Sequence, residues 1–84
     1  MEICYITFRS VTYAQRGERV LRGMGISTTL QRTPKWMEEQ GCGYCLRLQI
    51  KDVHQAVELL RQKKVPLRRV YVSSGDGKWK EMTL

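Results

Sequence analysis

The chain has 84 residues, 42% of them hydrophobic, and a formal net charge of +7. That length suits one domain with one modest core and marginal stability, and it leaves no room for a second. No apolar run reaches the roughly eighteen residues of a membrane-spanning helix, and the positive balance points to an anionic partner or to a plainly basic solvated surface.

The first six residues after Glu2, Ile3-Cys4-Tyr5-Ile6-Thr7-Phe8, are rich in β-branched and aromatic side chains and predict a central strand. Ser10 is a helix N-cap, and Ala14, Gly17, Val20, Leu21 and Met24 follow at helical spacing. Gly17 in a helix interior costs about 1 kcal/mol, so it is expected to permit close packing on a sheet. Gly23 and Gly25 stop the helix. Residues 26–32 alternate as a second, half-buried strand. Thr33-Pro34 then reads as the N-cap and first position of a short helical turn over 35–39 that ends at Gly41.

Tyr44, Leu46, Leu48 and Ile50 alternate with Cys45, Arg47 and Gln49, which predicts a third strand with one buried face. Asp52 and Gln55 have capping-box spacing, and Val53, Ala56, Val57 and Leu60 carry a helical stripe to about Lys63. Pro66 blocks further helix, and residues 67–73 form a fourth strand. Gly75-Asp76-Gly77 is a turn, after which 78–84 returns as a short hairpin strand holding Trp79 or trails as a tail. The expected units are one domain over 1–73 and a C-terminal turn with a short strand or tail over 74–84.

The order βαββαβ predicts an α+β, ferredoxin-like sandwich: a four-stranded antiparallel sheet in the order 4-1-3-2, two helices on one face, and either a C-terminal hairpin strand or a tail beyond it. In that topology the start of the third strand shares one sheet end with the ends of the first two and the start of the fourth. The N-terminus of the first helix opens there too.

The stretch with the most chemical content is Gln40-Gly41-Cys42-Gly43-Tyr44-Cys45. Gly41 and Gly43 flank a sulfur that neighbouring side chains leave unshielded. The topology sets Cys42 near Arg9 and Ser10, near Arg32 and Thr33, and within reach of Arg68. Cationic neighbours and a helix N-terminus favour thiolate over thiol, the nucleophilic form. Cys45, three residues on, is either a resolving thiol or a small residue on the open sheet face; a thioredoxin mechanism needs the pair to feed a helix, and here it feeds a strand. Three cysteines are an odd number and argue for a reducing, cytoplasmic setting, and the N-terminus has no leader pattern. Cys4 reads as core, His54 as a solvated helix residue, and no metal or other cofactor is expected. Trp36 and Met37 serve either as a lip for a partner or as a plug on the core.

Phe8-Arg9-Ser10-Val11-Thr12-Tyr13-Ala14, Glu18, Leu21, Pro34 and above all Gly41-Cys42-Gly43-Tyr44-Cys45-Leu46-Arg47 resemble the small bacterial selenium/sulfur carrier family over residues 3 to 72. The resemblance implies a cytoplasmic protein that holds sulfur or selenium as a persulfide or perselenide on Cys42, with Ser10 shaping the pocket. It implies a donor such as a cysteine desulfurase and an acceptor protein, and a thiol carrier rather than a catalyst. The stretch Trp36-Met37-Glu38-Glu39-Gln40 and the extra Cys45 depart from the family pattern.

Two other readings compete. An RNA-recognition domain has the same element order, but turning Tyr44 to the open face would expose Leu46, Leu48 and Ile50. Burying three aliphatic side chains at about 1.5–3 kcal/mol each outweighs one stacked base at about 1–3. Tyr5 and Tyr71 keep that reading in view. A non-catalytic interaction module, including a homodimer joined at a strand edge, is the third.

Overall fold

The computed structural model describes residues 2–37, 43–73 and 78–82. In chain order these form β1 (Ile3–Thr7), α1 (Val11–Gly23), β2 (Thr28–Arg32), a 3₁₀ turn (Lys35–Met37), β3 (Tyr44–Gln49), a second 3₁₀ turn (Ile50–Asp52), α2 (Val53–Gln62), β4 (Val70–Ser73) and β5 (Trp79–Met82). All strands join one antiparallel sheet in the order β2-β3-β1-β4-β5. The expected order of the first four strands is present, but the sheet has five strands and not four. The fifth is the C-terminal hairpin strand, which runs from Trp79 opposite Ser73 to Met82 opposite Val70. The Trp79 ring reaches the Tyr5 ring at 5.0 Å between centroids, which ties β5 back to the centre of the sheet.

Alternation along the strands sends Cys4 and Ile6 of β1, Leu46 and Leu48 of β3 and Val70 of β4 to one face, where they join a single buried cluster. The helices close that cluster with Ala14, Gly17 and Leu21 from α1 and Val53, Ala56, Val57, Leu59 and Leu60 from α2. Ile6, Phe8, Leu21, Leu46 and Leu60 are fully buried, and each contributes about 1.5–3 kcal/mol of hydrophobic stabilisation. Gly17 fulfils its expected role. A Cβ there would stand 3.1 Å from Phe8 Cζ, 3.2 Å from Leu46 Cδ1 and 3.4 Å from Leu60 Cδ2, so glycine lets α1 approach both the sheet and α2.

The helix ends follow one expectation and break another. Ser10 caps α1, its extended backbone placing Oγ to accept from Tyr13 N at 3.2 Å. Asp52 forms no capping box. Its backbone is helical (φ −98°, ψ −1°), not extended as an N-cap requires, because the 3₁₀ turn from Ile50 runs straight into α2 and Val53 N–H donates to Ile50 O. The extended segment before β4 is also held to β1, with Arg68 N donating to Thr7 O at 2.8 Å and Thr7 N to Arg69 O at 2.9 Å. The expected turn at 75–77, the ends of the 35–39 turn and of the 78–84 strand, Gly41 and Cys42 lie wholly or partly outside the described residues.

Candidate functional site

Register gathers the sheet end that the topology singles out. Thr7, the last residue of β1, faces Cys45; Arg32, the last of β2, faces Tyr44, the first of β3; Ile6 faces Val70, the first of β4. Beyond the ladder, Thr33 N donates to Gly43 O at 2.9 Å. Gly43 is buried with φ +81°, a left-handed backbone that glycine takes without the usual Cβ penalty. This residue directly follows Cys42 in the chain, so the end of β2 pins the strand-entry backbone. Ser10 and the start of α1 follow Thr7 at the same end of β1.

Of the sequence-predicted residues, the structure therefore brings Ser10, Arg32, Gly43, Cys45 and Arg68 to one end of the sheet, with Arg9 next to Ser10 in the chain. The Arg32 guanidinium lies over the Tyr44 ring at 5.4 Å, an arrangement that holds its charge at the entrance to β3. Arg9 is exposed and Arg68 half-buried. The Ser10 hydroxyl is engaged by Tyr13 N–H. No acidic residue occupies the first turn of α1 itself, where the positive end of the helix dipole lies.

Cys45 is not on an open face. It lies opposite the helices, as alternation requires, yet its relative exposure is 0% and its Sγ donates weakly to Arg32 O at 4.0 Å. The same sheet face also carries an aromatic group drawn from distant parts of the chain. Trp36, on the 3₁₀ turn, meets Tyr71 edge-on at 5.5 Å and Trp79 at 5.8 Å, while Met37 beside it is 3% exposed. Met37 is buried and Trp36 is 54% exposed, so the two side chains of this turn do not share one environment. The signal in the sequence was the presence of Tyr5, Tyr71 and Trp79 at same-face positions of three strands.

Cys4 is core, as expected. Burial first, and the Asp52 carboxylate second, push its thiol up to about 12. That holds it neutral and non-nucleophilic at ordinary pH. Among the described residues no three His, Cys, Asp or Glu side chains converge on a metal-sized point, His54 is exposed on α2, and no helix is long and apolar enough to cross a membrane.

Tyr44 points to the helix face with Leu46 and Leu48, and the rings that do face the other way are occupied with one another: Tyr5 with Trp79, and Tyr71, 8% exposed, with Trp36. The face has no free stacking platform made of Tyr5 and Tyr71. Nothing here supports the RNA-recognition reading.

Compared with known proteins, residues 3–72 match the profile of the family described as "Putative Se/S carrier protein-like". The match ends within β4, so β5 and Trp79 lie beyond it. No curated protein and no solved structure matches the chain.

Proposed function

The chain belongs to the Se/S carrier protein-like family, and we propose that it carries sulfur or selenium as a persulfide or perselenide on Cys42. The observation that carries this reading is the convergence of Gly43, Arg32, Ser10 and the α1 N-terminus at the sheet end where the Cys42 segment enters β3. Cationic side chains and a helix N-terminus favour a thiolate at this end of the fold.

The transfer requires no acid–base pair. The Cys42 thiolate attacks the outer sulfur of a donor persulfide, the donor S–S bond breaks, and the donor leaves as a thiolate. Cys42 then carries the sulfane sulfur as R–S–SH, where R is its own side chain. An acceptor nucleophile attacks that outer sulfur, and Cys42 departs as thiolate, ready for another load. Electrons balance at each exchange without an external oxidant.

In this account Gly41 and Gly43 give the thiol clearance, and Arg9, Arg32 and Arg68 raise the local positive potential. Ser10 acts through the end of α1 that it caps. Cys45, fully buried, is a reserve thiol that reaches a persulfide only when the fold opens locally. We read the architecture as a ferredoxin-like sandwich extended by one strand, with residues 1–73 as the carrier unit and 74–84 supplying the added hairpin. The working compartment is the cytoplasm, and the partners are a donor such as a cysteine desulfurase and an acceptor protein.

Incubation with a cysteine desulfurase and cysteine, read by intact mass, tests the assignment. The protein and Cys45→Ala should each gain one sulfur mass and Cys42→Ala none. Equal loading of both variants overturns the site.

A further inference from the structure

The two helices end in the same turn, closed by different residues. At the end of α1, Gly25 N donates to Arg22 O at 3.0 Å and Ile26 N to Leu21 O at 2.9 Å, with Gly25 at φ +81°. At the end of α2, Lys64 N donates to Arg61 O at 3.1 Å and Val65 N to Leu60 O at 2.9 Å, with Lys64 at φ +57°. Each turn then buries an apolar residue, Ile26 or Val65. This is the left-handed helix stop that ordinarily selects glycine. In the second copy the chain sets a lysine there, accepting a backbone conformation that an L-residue adopts only at a cost.

That lysine borders a groove. Arg61, Lys64 and Arg68 form its cationic walls, and Val65, Pro66 and Leu67 its apolar floor, around a volume of about 500 Å³. None of the three cations has an ion pair among the described residues; the pairs present are Arg22 with Glu18 and Arg69 with Glu81. The groove follows directly on the carrier end of the sheet, since Arg68 N is bonded to Thr7 O and Thr7 faces Cys45.

We infer that this groove is a docking site for an acidic, amphipathic segment of a partner protein, with Lys64 held in place of glycine to bring a charge to it. Charge complementarity selects the carboxylates. The size and the floor select the rest: a single oxyanion is far smaller than the groove and gains nothing from Pro66 and Leu67, whereas a short stretch of peptide fills it and buries apolar side chains on them. Assigning that segment to a sulfur donor or acceptor rests on the carrier reading; the groove itself does not.

The test uses a synthetic peptide alternating leucine with paired glutamates, its glutamine counterpart, inorganic phosphate and an oligouridylate, each titrated into the ¹⁵N-labelled protein. The acidic peptide should shift amides over 61–68, and its affinity should fall as salt rises. The Arg61→Gln/Arg68→Gln pair should weaken it on the order of tenfold, and Lys64→Gly several-fold while raising the thermal midpoint. That last combination separates a binding role from a structural one, because a residue serving only the turn would improve stability and leave affinity alone. Equal shifts from the glutamine peptide, saturation of the same amides by phosphate, tighter binding of the oligouridylate, or undiminished affinity in Lys64→Gly would each overturn the proposal. None of these arms contains a sulfur donor, so they read the groove whether or not Cys42 carries sulfur.

Discussion

Thr7 stands directly opposite Cys45 across β1 and β3, and both are buried, Thr7 at 5% and Cys45 at 0% relative exposure. The Thr7 hydroxyl accepts from Arg69 N at 3.1 Å, so this pair ties the core of the sheet end to the segment that enters β4. A thiol placed there meets reagents only when its cover opens. Iodoacetamide labelling followed by mass mapping should therefore show Cys45 reacting on the order of tenfold or more slowly than in the urea-unfolded chain. Mild urea below the unfolding transition should speed that reaction. Labelling of Cys45 at the unfolded rate in the native protein would show that the fold does not seal it.

Gly17 and Gly23 both belong to α1 but predict opposite outcomes on substitution. Alanine gains about 1 kcal/mol of helix propensity at either site. At Gly17 the new methyl meets Phe8, Leu46 and Leu60, all fully buried and without room to yield, and overpacking of that kind costs about 1–3 kcal/mol. At Gly23 nothing lies within 4 Å. Urea unfolding should show Gly17→Ala destabilised by about 1 kcal/mol and Gly23→Ala stabilised by up to about 1 kcal/mol.

Cys4 predicts a loss of stability at high pH. The unfolded chain releases this proton near 9.0 and the folded chain near 12, so above 9.0 the unfolded state binds fewer protons. The contribution is whole below the unfolded value and falls as pH rises through that window, by about 1.4 kcal/mol per unit. Tyrosines and lysines titrate in the same range, so the comparison is with Cys4→Val, which lacks the thiol. The parent should lose more stability than the variant between 9.0 and about 12; parallel curves would contradict the assignment.

Lys64→Gly should stabilise the fold. The left-handed backbone at φ +57° costs an L-residue about 1–2 kcal/mol, and glycine returns part of the gain, about 0.4–1 kcal/mol, through a freer unfolded chain. A net rise of about 0.5–1 kcal/mol in unfolding free energy is expected from urea titration. A decrease would mean that the lysine side chain itself holds the turn.

Much of this architecture was legible in the residues, and what was not has physical causes. Alternation in Tyr44, Leu46 and Leu48 and the stripe Ala14, Gly17, Leu21 report which face turns inward, and the structure buries that face. Alternation does not report whether the other face is covered, so the full burial of Cys45 was not legible in its strand pattern. The capping box at Asp52 failed because spacing alone does not set backbone conformation, and the 3₁₀ turn from Ile50 had already supplied helical geometry. The turn at Lys64 was hidden because the left-handed stop is read from glycine, and a lysine stands there. The pattern of residues 78–84 fits either a hairpin strand or a tail, and the contact of Trp79 with Tyr5 goes with the strand.

The proposal depends most on which sulfur holds the cargo, and localising that atom tests it most directly. After loading by a cysteine desulfurase and alkylation of the persulfide, tryptic cleavage releases a peptide from Trp36 to Arg47 that contains both Cys42 and Cys45. Fragmentation between Gly43 and Tyr44 then separates them. The account predicts the added sulfur on the fragment bearing Cys42; an added sulfur on Cys45 or on Cys4, or none anywhere, would contradict it.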